Sequence, residues 1–315
     1  MNEATQTPEP PESQPVRGSE VRQTAFPTQM HTSVSIAPQA GCPSCSSVGI
    51  ADMNSTEKGR PSYVYAIGRV ETRFPSLAAQ KEFAQATGRS DSAGKTDQQT
   101  FHAVLSKREH RYLVRQLCWV LTIQGLETYL LMPRDPADLD LLVEAIRPAQ
   151  SPNDIDVVIG VRGPIAPPEM CNGLMVPIIV FDQIYSFDRD VFIKSIPKPE
   201  KIAAEKFTAT AGELLDRIIQ MTDNAGATDE YRAMNYLAMR YPAIYATVTE
   251  CHNRDCSLTA VNVQPSSLSG IRKIVEAIFS FTHRQTDVTE KYFVRVDVTE
   301  EFPFLVTKMS PYYDR

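Results

Sequence analysis

Asp154-Ile-Asp-Val-Val-Ile-Gly160 and Ile178-Ile-Val-Phe-Asp-Gln-Ile-Tyr-Ser-Phe187 enclose the run Arg162-Gly-Pro-Ile-Ala-Pro-Pro-Glu-Met-Cys-Asn-Gly-Leu-Met-Val-Pro177. The two flanks are short and rich in β-branched and aromatic residues, as strands are. Between them, Pro164, Pro167 and Pro168 fix φ, and Cys171-Asn-Gly173 offers a turn. Residues 154–160 and 176–187 are therefore expected as two strands joined by a stiff, proline-rich loop.

Working outward, Cys118-Trp-Val-Leu-Thr-Ile-Gln-Gly-Leu-Glu-Thr-Tyr-Leu-Leu-Met132 reads as a hairpin turning at Gln124-Gly125, where glycine supplies the positive φ of a tight turn. An earlier strand begins at Tyr63, with Tyr65 and Ile67 alternating, and Gly68 and Pro75 are taken as its bounds. Short helices are expected around 77–87, 97–106 and 136–146. Pro148 and Pro152 then suggest a boundary, giving an N-terminal part over 62–150 and a C-terminal part over 151–315. In the latter, Phe207, Ala211, Leu214, Leu215, Ile218 and Ile219 form one helical stripe over 200–222. Thr228 is a candidate N-cap for the next helix, which must break before Pro242. From 257 onward the apolar period becomes two, in runs at 258–263, 273–282, 291–298 and 304–308, as in an antiparallel meander. Helices grouped before strands predict an α+β fold, with helices packed on antiparallel sheets.

Residues 1–61 hold 8 of the 23 prolines and 14 serines and threonines. Such a composition buries too little apolar surface to offset chain entropy, so this tail is expected to be disordered. The net charge of −6, with both signs interspersed, argues against nucleic-acid binding. No apolar run approaches membrane-spanning length, and the N-terminus lacks a secretory pattern, so a cytoplasmic protein is expected. Its six cysteines should then be reduced, as thiols or metal ligands.

Cys42-Pro-Ser-Cys45 has the spacing with which one loop presents two thiolates to a structural zinc, and Cys251 and Cys256 form a second pair. The four could make a zinc site, or His252 could replace one thiolate. Cys171 in its turn is an alternative third ligand beside Cys42 and Cys45. Cys118, next to Trp119, reads mainly as core, although it too could serve as a ligand. Asp154, Asp156, Asp182, Asp188 and Asp190 could gather around a divalent cation, but carboxylates at strand ends are ordinarily solvated. No histidine motif, phosphate-binding glycine loop or nucleophile elbow is present.

The proline-rich run and its flanks resemble the C-terminal domain, of unknown function, of the PatA and PatG proteins of cyanobactin biosynthesis. The resemblance extends to Tyr63-Val-Tyr-Ala-Ile-Gly-Arg69, Arg73-Phe-Pro-Ser76, Glu82-Phe-Ala-Gln-Ala-Thr-Gly-Arg89, Arg111 to Leu121, Met221 to Asp229 and Val296 to Leu305, so that it spans most of 62–315. It implies a role in ribosomal-peptide maturation. The subtilisin-like protease region of those proteins, with its Gly-Thr-Ser motif, has no counterpart here, so protease activity is not carried over. The expected role is a non-catalytic interaction module that forms a homodimer and binds a precursor peptide, a processing protease or a heterocyclase. The alternative is a metal-dependent peptide-modifying enzyme using Cys171 or the aspartates beside the 162–177 loop.

Overall fold

A computed structural model describes residues 61–91, 95–148, 151 and 153–313. The fold is α+β. Strands β1 (Tyr63–Arg73), β2 (Cys118–Ile123), β3 (Leu126–Pro133), β4 (Asp154–Ile165) and β5 (Pro177–Asp188) close into a barrel of order β1-β2-β3-β5-β4. All its pairs are antiparallel except β3 with β5. Four helices follow β1 or precede β4: α1 (Leu77–Asp91), α2 (Asp97–Leu105), α3 (Arg111–Gln116) and α4 (Leu139–Ala145). Then come α5 (Arg189–Ser195), α6 (Ala204–Ile219), α7 (Asp229–Arg240) and α8 (Ala243–Asn253). The chain ends in a meander of β6 (Cys256–Pro265), β7 (Ile274–His283), β8 (Thr289–Asp297) and β9 (Phe304–Pro311).

Strand periodicity divides the core. On β1, Val64, Ala66 and Val70 pack with Trp119, Leu121, Leu131, Val158 and Phe181 and with the apolar faces of α1 to α4. Their neighbours Tyr65 and Ile67, with Ile155, Val157 and Ile159 of β4, join α5 to α8 and the inner face of the meander in a second core. Val275, Ala277, Phe279 and Phe281 of β7 and Val294, Val296 and Val298 all lie in this second core, as their period-two spacing predicts.

The hairpin turns where expected: Gln124 and Gly125 both take positive φ, 51° and 81°, the pairing required by the tightest hairpin turns. Thr228 accepts the Tyr231 N–H and caps α7, which ends at Arg240 ahead of Pro242. Gly68, expected at a strand end, lies inside β1. A Cβ there would meet the Thr122 carbonyl oxygen at 2.5 Å, so the glycine permits close strand approach rather than termination. The boundary expected between 150 and 151 falls between α4 and β4, so a division there separates strands of one barrel. Residues 57–315 form one compact unit, because β4 hydrogen-bonds β1 across that point.

Candidate functional site

Immediately after β1, Phe74 and the two helices α1 and α2 form an aromatic groove of about 480 Å3. Phe83 stacks on Phe101 with centroids 4.5 Å apart, and Phe74 meets each of them at 5.5 Å. Phe83 is buried, whereas Phe74 and Phe101 are half-buried and give the groove its wall. The Thr87 hydroxyl donates back to the Phe83 carbonyl at 2.9 Å, so its polar atom is already satisfied. Exposed Ala84 lies on the same wall and leaves the space open. Gln80, Thr100 and Asp97 contribute polar groups to the lining.

The pair of helices is fixed locally. Thr96 caps α2 by accepting the Gln99 N–H, while the Gln99 side chain accepts the Thr96 N–H, two orphan donors satisfied reciprocally. A groove of this size, apolar with a few polar groups, suits an apolar side chain or short peptide segment. A wider cleft of about 860 Å3 between α5 and α6 is differently built. There Arg189 donates to both Asp216 oxygens at 2.8 and 2.5 Å, and Arg217 donates to the Leu258 and Thr259 carbonyls. Its two arginines are thus already engaged, Arg189 by carboxylates and Arg217 by main-chain carbonyls.

The cysteines do not behave as reduced ligands throughout. Cys118 and Cys171 are joined in a disulfide with Cα atoms 5.9 Å apart. The loop between β4 and β5 folds back over β2, and Ala166, Cys171 and Ile178 are buried with Cys118, Val120 and Leu130. The bond removes both thiolates, so neither residue can act in that state as the alternative zinc ligand. The loop is therefore a cover on the barrel. Cys251 and Cys256 are free and buried. Burial pushes the Cys251 thiol up to about 11, although the Arg254 guanidinium beside it, 3.2 Å away, opposes this. His252 lies near Arg284 on the surface. Cys42 and Cys45 lie outside the described residues. Among the described residues no three His, Cys, Asp or Glu side chains are placed to hold a metal ion.

The aspartates of the sequence cluster are dispersed into separate roles. Asp154 pairs with Arg147 at 3.3 Å. Asp188 caps α5 by accepting the Asp190 and Val191 N–H groups, and Asp190 pairs with Arg189. Asp156 is buried, accepting from the Val70 N–H at 2.6 Å and the Ser186 hydroxyl at 2.5 Å. Its burial outweighs these bonds and raises its pKa to about 6.

Asp182 meets a carboxylate that sequence reading missed, Glu301 in the β8–β9 turn. Arg134 lies 2.7 Å from Asp182 and 3.5 Å from Glu301. Burial, together with the hydrogen bond and charge of Asp182, raises Glu301 to about 7. Arg232 of α7, itself buried, holds this turn by donating to the carbonyls of Val298, Glu300 and Glu301. Neither this cluster nor the phenylalanine groove has a local motif. The signal available for the groove was the phenylalanine spacing across two expected helices.

Residues 201–312 match the family model described as PatG C-terminal. Over these residues the chain is similar to the PatG C-terminal domain. A solved structure titled "PatG Domain of Unknown Function" superposes on this chain with a TM-score of 0.65 at 16% identity, covering 80% of this chain and 99% of that one. No curated protein matches. The shared fold extends well beyond the matched 112 residues, which lie in α6 to β9. The disulfide-covered barrel and its aromatic groove precede that segment. Among the described residues no helix is long and apolar enough to cross a membrane.

Proposed function

We propose that this chain is an accessory module of ribosomal-peptide maturation that binds an apolar segment of a precursor peptide in the α1–α2 groove. The observation that supports this reading most is the open phenylalanine wall: Phe74 and Phe101 are half-buried beside exposed Ala84, with space of about 480 Å3 in front of them. An aromatic wall contributes large contact area at small entropic cost, which favours apolar peptide side chains. The module associates as a homodimer through the outer face of its meander. That face presents Phe304 beneath Arg272 and Phe293 beneath Arg295, with guanidinium carbons 4.8 and 4.6 Å from the ring centroids, residue types enriched at interfaces.

The test is a calorimetric titration with a synthetic octapeptide carrying aromatic and branched apolar residues. Saturable binding is expected, and Ala84→Tyr should abolish it by filling the groove from an exposed helical position. Equal binding by the wild type and Ala84→Tyr would refute the groove as the site.

A further inference from the structure

The other side of α2 borders a second cleft, of about 690 Å3, between α2, the turn after it, α3 and α4. Phe101 and Thr100 line the aromatic groove, whereas His102, Leu105 and Ser106 line this cleft. Among the described residues that line it, Lys107, Arg108, Arg111 and Arg115 are cationic and Asp140 and Glu144 are the carboxylates; Lys107 has an interaction of its own. Arg111 is paired with Asp140. Arg108 and Arg115 are exposed. The imbalance is local, since the whole chain carries a charge of −6. A cleft of this sign raises the local concentration of anionic partners against the field of an acidic protein.

We infer that this cleft binds an acidic segment of a peptide, and that it serves the groove across α2. The inference rests on the proposed peptide-binding role only for the second half of that statement. A helix with its side chains is about 10 Å across. Three extended residues at about 3.4 Å each would therefore carry a peptide over α2 from the groove to the cleft. The partner is then a peptide with an apolar anchor and, about three residues away, two or more carboxylates. Nucleic acid fits less well, because the cationic surface is a cleft rather than a stripe along which a phosphate backbone could track.

The experiment uses the full chain and four fluorescently labelled probes in low salt: a Glu-rich octapeptide without apolar residues, an apolar octapeptide, the two joined by three glycines, and an oligouridylate matched in charge to the Glu-rich octapeptide. The variant is Arg108→Glu with Arg115→Glu, both at exposed positions, and a far-UV circular dichroism spectrum and melting temperature matching the wild type check that the fold is intact. The Glu-rich probe should bind the wild type and lose about tenfold or more in affinity in the variant, since each exposed charge pair contributes modestly and reversal doubles the effect. It should also be released at about 0.5 M salt, where screening acts within a few ångströms. The joined probe should bind tighter than either half. Failure of the Glu-rich probe to bind, or binding indifferent to the charge reversal, overturns the cleft. Equal or tighter binding of an oligouridylate of the same charge overturns the peptide assignment. Failure of the apolar probe alone refutes the groove and leaves the cleft result to be judged by itself, and a joined probe no tighter than its halves disproves the link between them.

Discussion

Glu301 shows how a single side chain couples stability to pH. Its pKa is raised to about 7 by burial and by Asp182, so the folded protein favours its protonated form. That contribution is fully present below the ordinary glutamate range and is lost as pH rises through about 7. Glu301→Gln removes the titration while keeping the shape. Its melting temperature should match the wild type near pH 5 and exceed it near pH 8 by about 2 °C or more, as roughly 1 kcal/mol would give in a chain of this size. Differential scanning fluorimetry at the two pH values checks this, and a variant less stable at both would show that Glu301 is held as an anion. Asp156, raised to about 6, acts in the same direction and is unchanged between the two proteins. At the same scale, the Cys118–Cys171 bond closes a separation of 53 residues. Replacing both by serine should cost about 2–4 kcal/mol, measured by urea unfolding. A non-reduced digest should contain the two cysteine peptides linked. The expectation of reduced thiols rests on compartment alone, which says nothing of the loop that carries Cys171 back over β2.

At the level of elements, most of the fold was legible because short-range physics decides it. The hairpin at Gln124-Gly125, the Thr228 cap, the α6 stripe and the period-two meander each follow from residues a few positions apart. What was not legible depended on distant pairing. The parallel contact of β3 with β5 closes the barrel, and nothing in either strand's own sequence announces its partner. The same gap explains the misplaced boundary at residue 150 and the misreading of Gly68. Gly160 belongs with Gly68: a Cβ there would meet the Val180 carbonyl oxygen at 2.4 Å and the Phe181 Cα at 2.6 Å. Gly160→Ala is therefore expected to lower stability by about 1–3 kcal/mol through backbone displacement, whereas Gly163→Ala, whose nearest contact would be 3.5 Å, should be nearly neutral. Equal effects in urea unfolding would show that the barrel is looser than its register implies. The aromatic groove was likewise hidden, since its walls come from two helices and a strand end.

For the whole molecule, the barrel with its four helices presents the groove, while the meander buries one face on α6 to α8 and leaves the other outward. The proposed division of labour is peptide capture on the first and self-association on the second. Light scattering should accordingly give twice the chain mass, and Phe304→Glu should return it to the monomer without weakening peptide binding. A protein that remains monomeric on concentration would remove the dimer and leave the outer face to another partner. The central claim is that an apolar peptide segment sits against the phenylalanine wall, and photo-cross-linking tests it most directly. An octapeptide with a benzophenone side chain in place of one apolar residue would be irradiated with the protein and the adduct mapped by mass spectrometry. Adducts within residues 74–101, competed away by the unlabelled peptide and absent in Ala84→Tyr, are the predicted result. Competable adducts on the outer face of the meander or in the α5–α6 cleft, with residues 74–101 unlabelled, would contradict it.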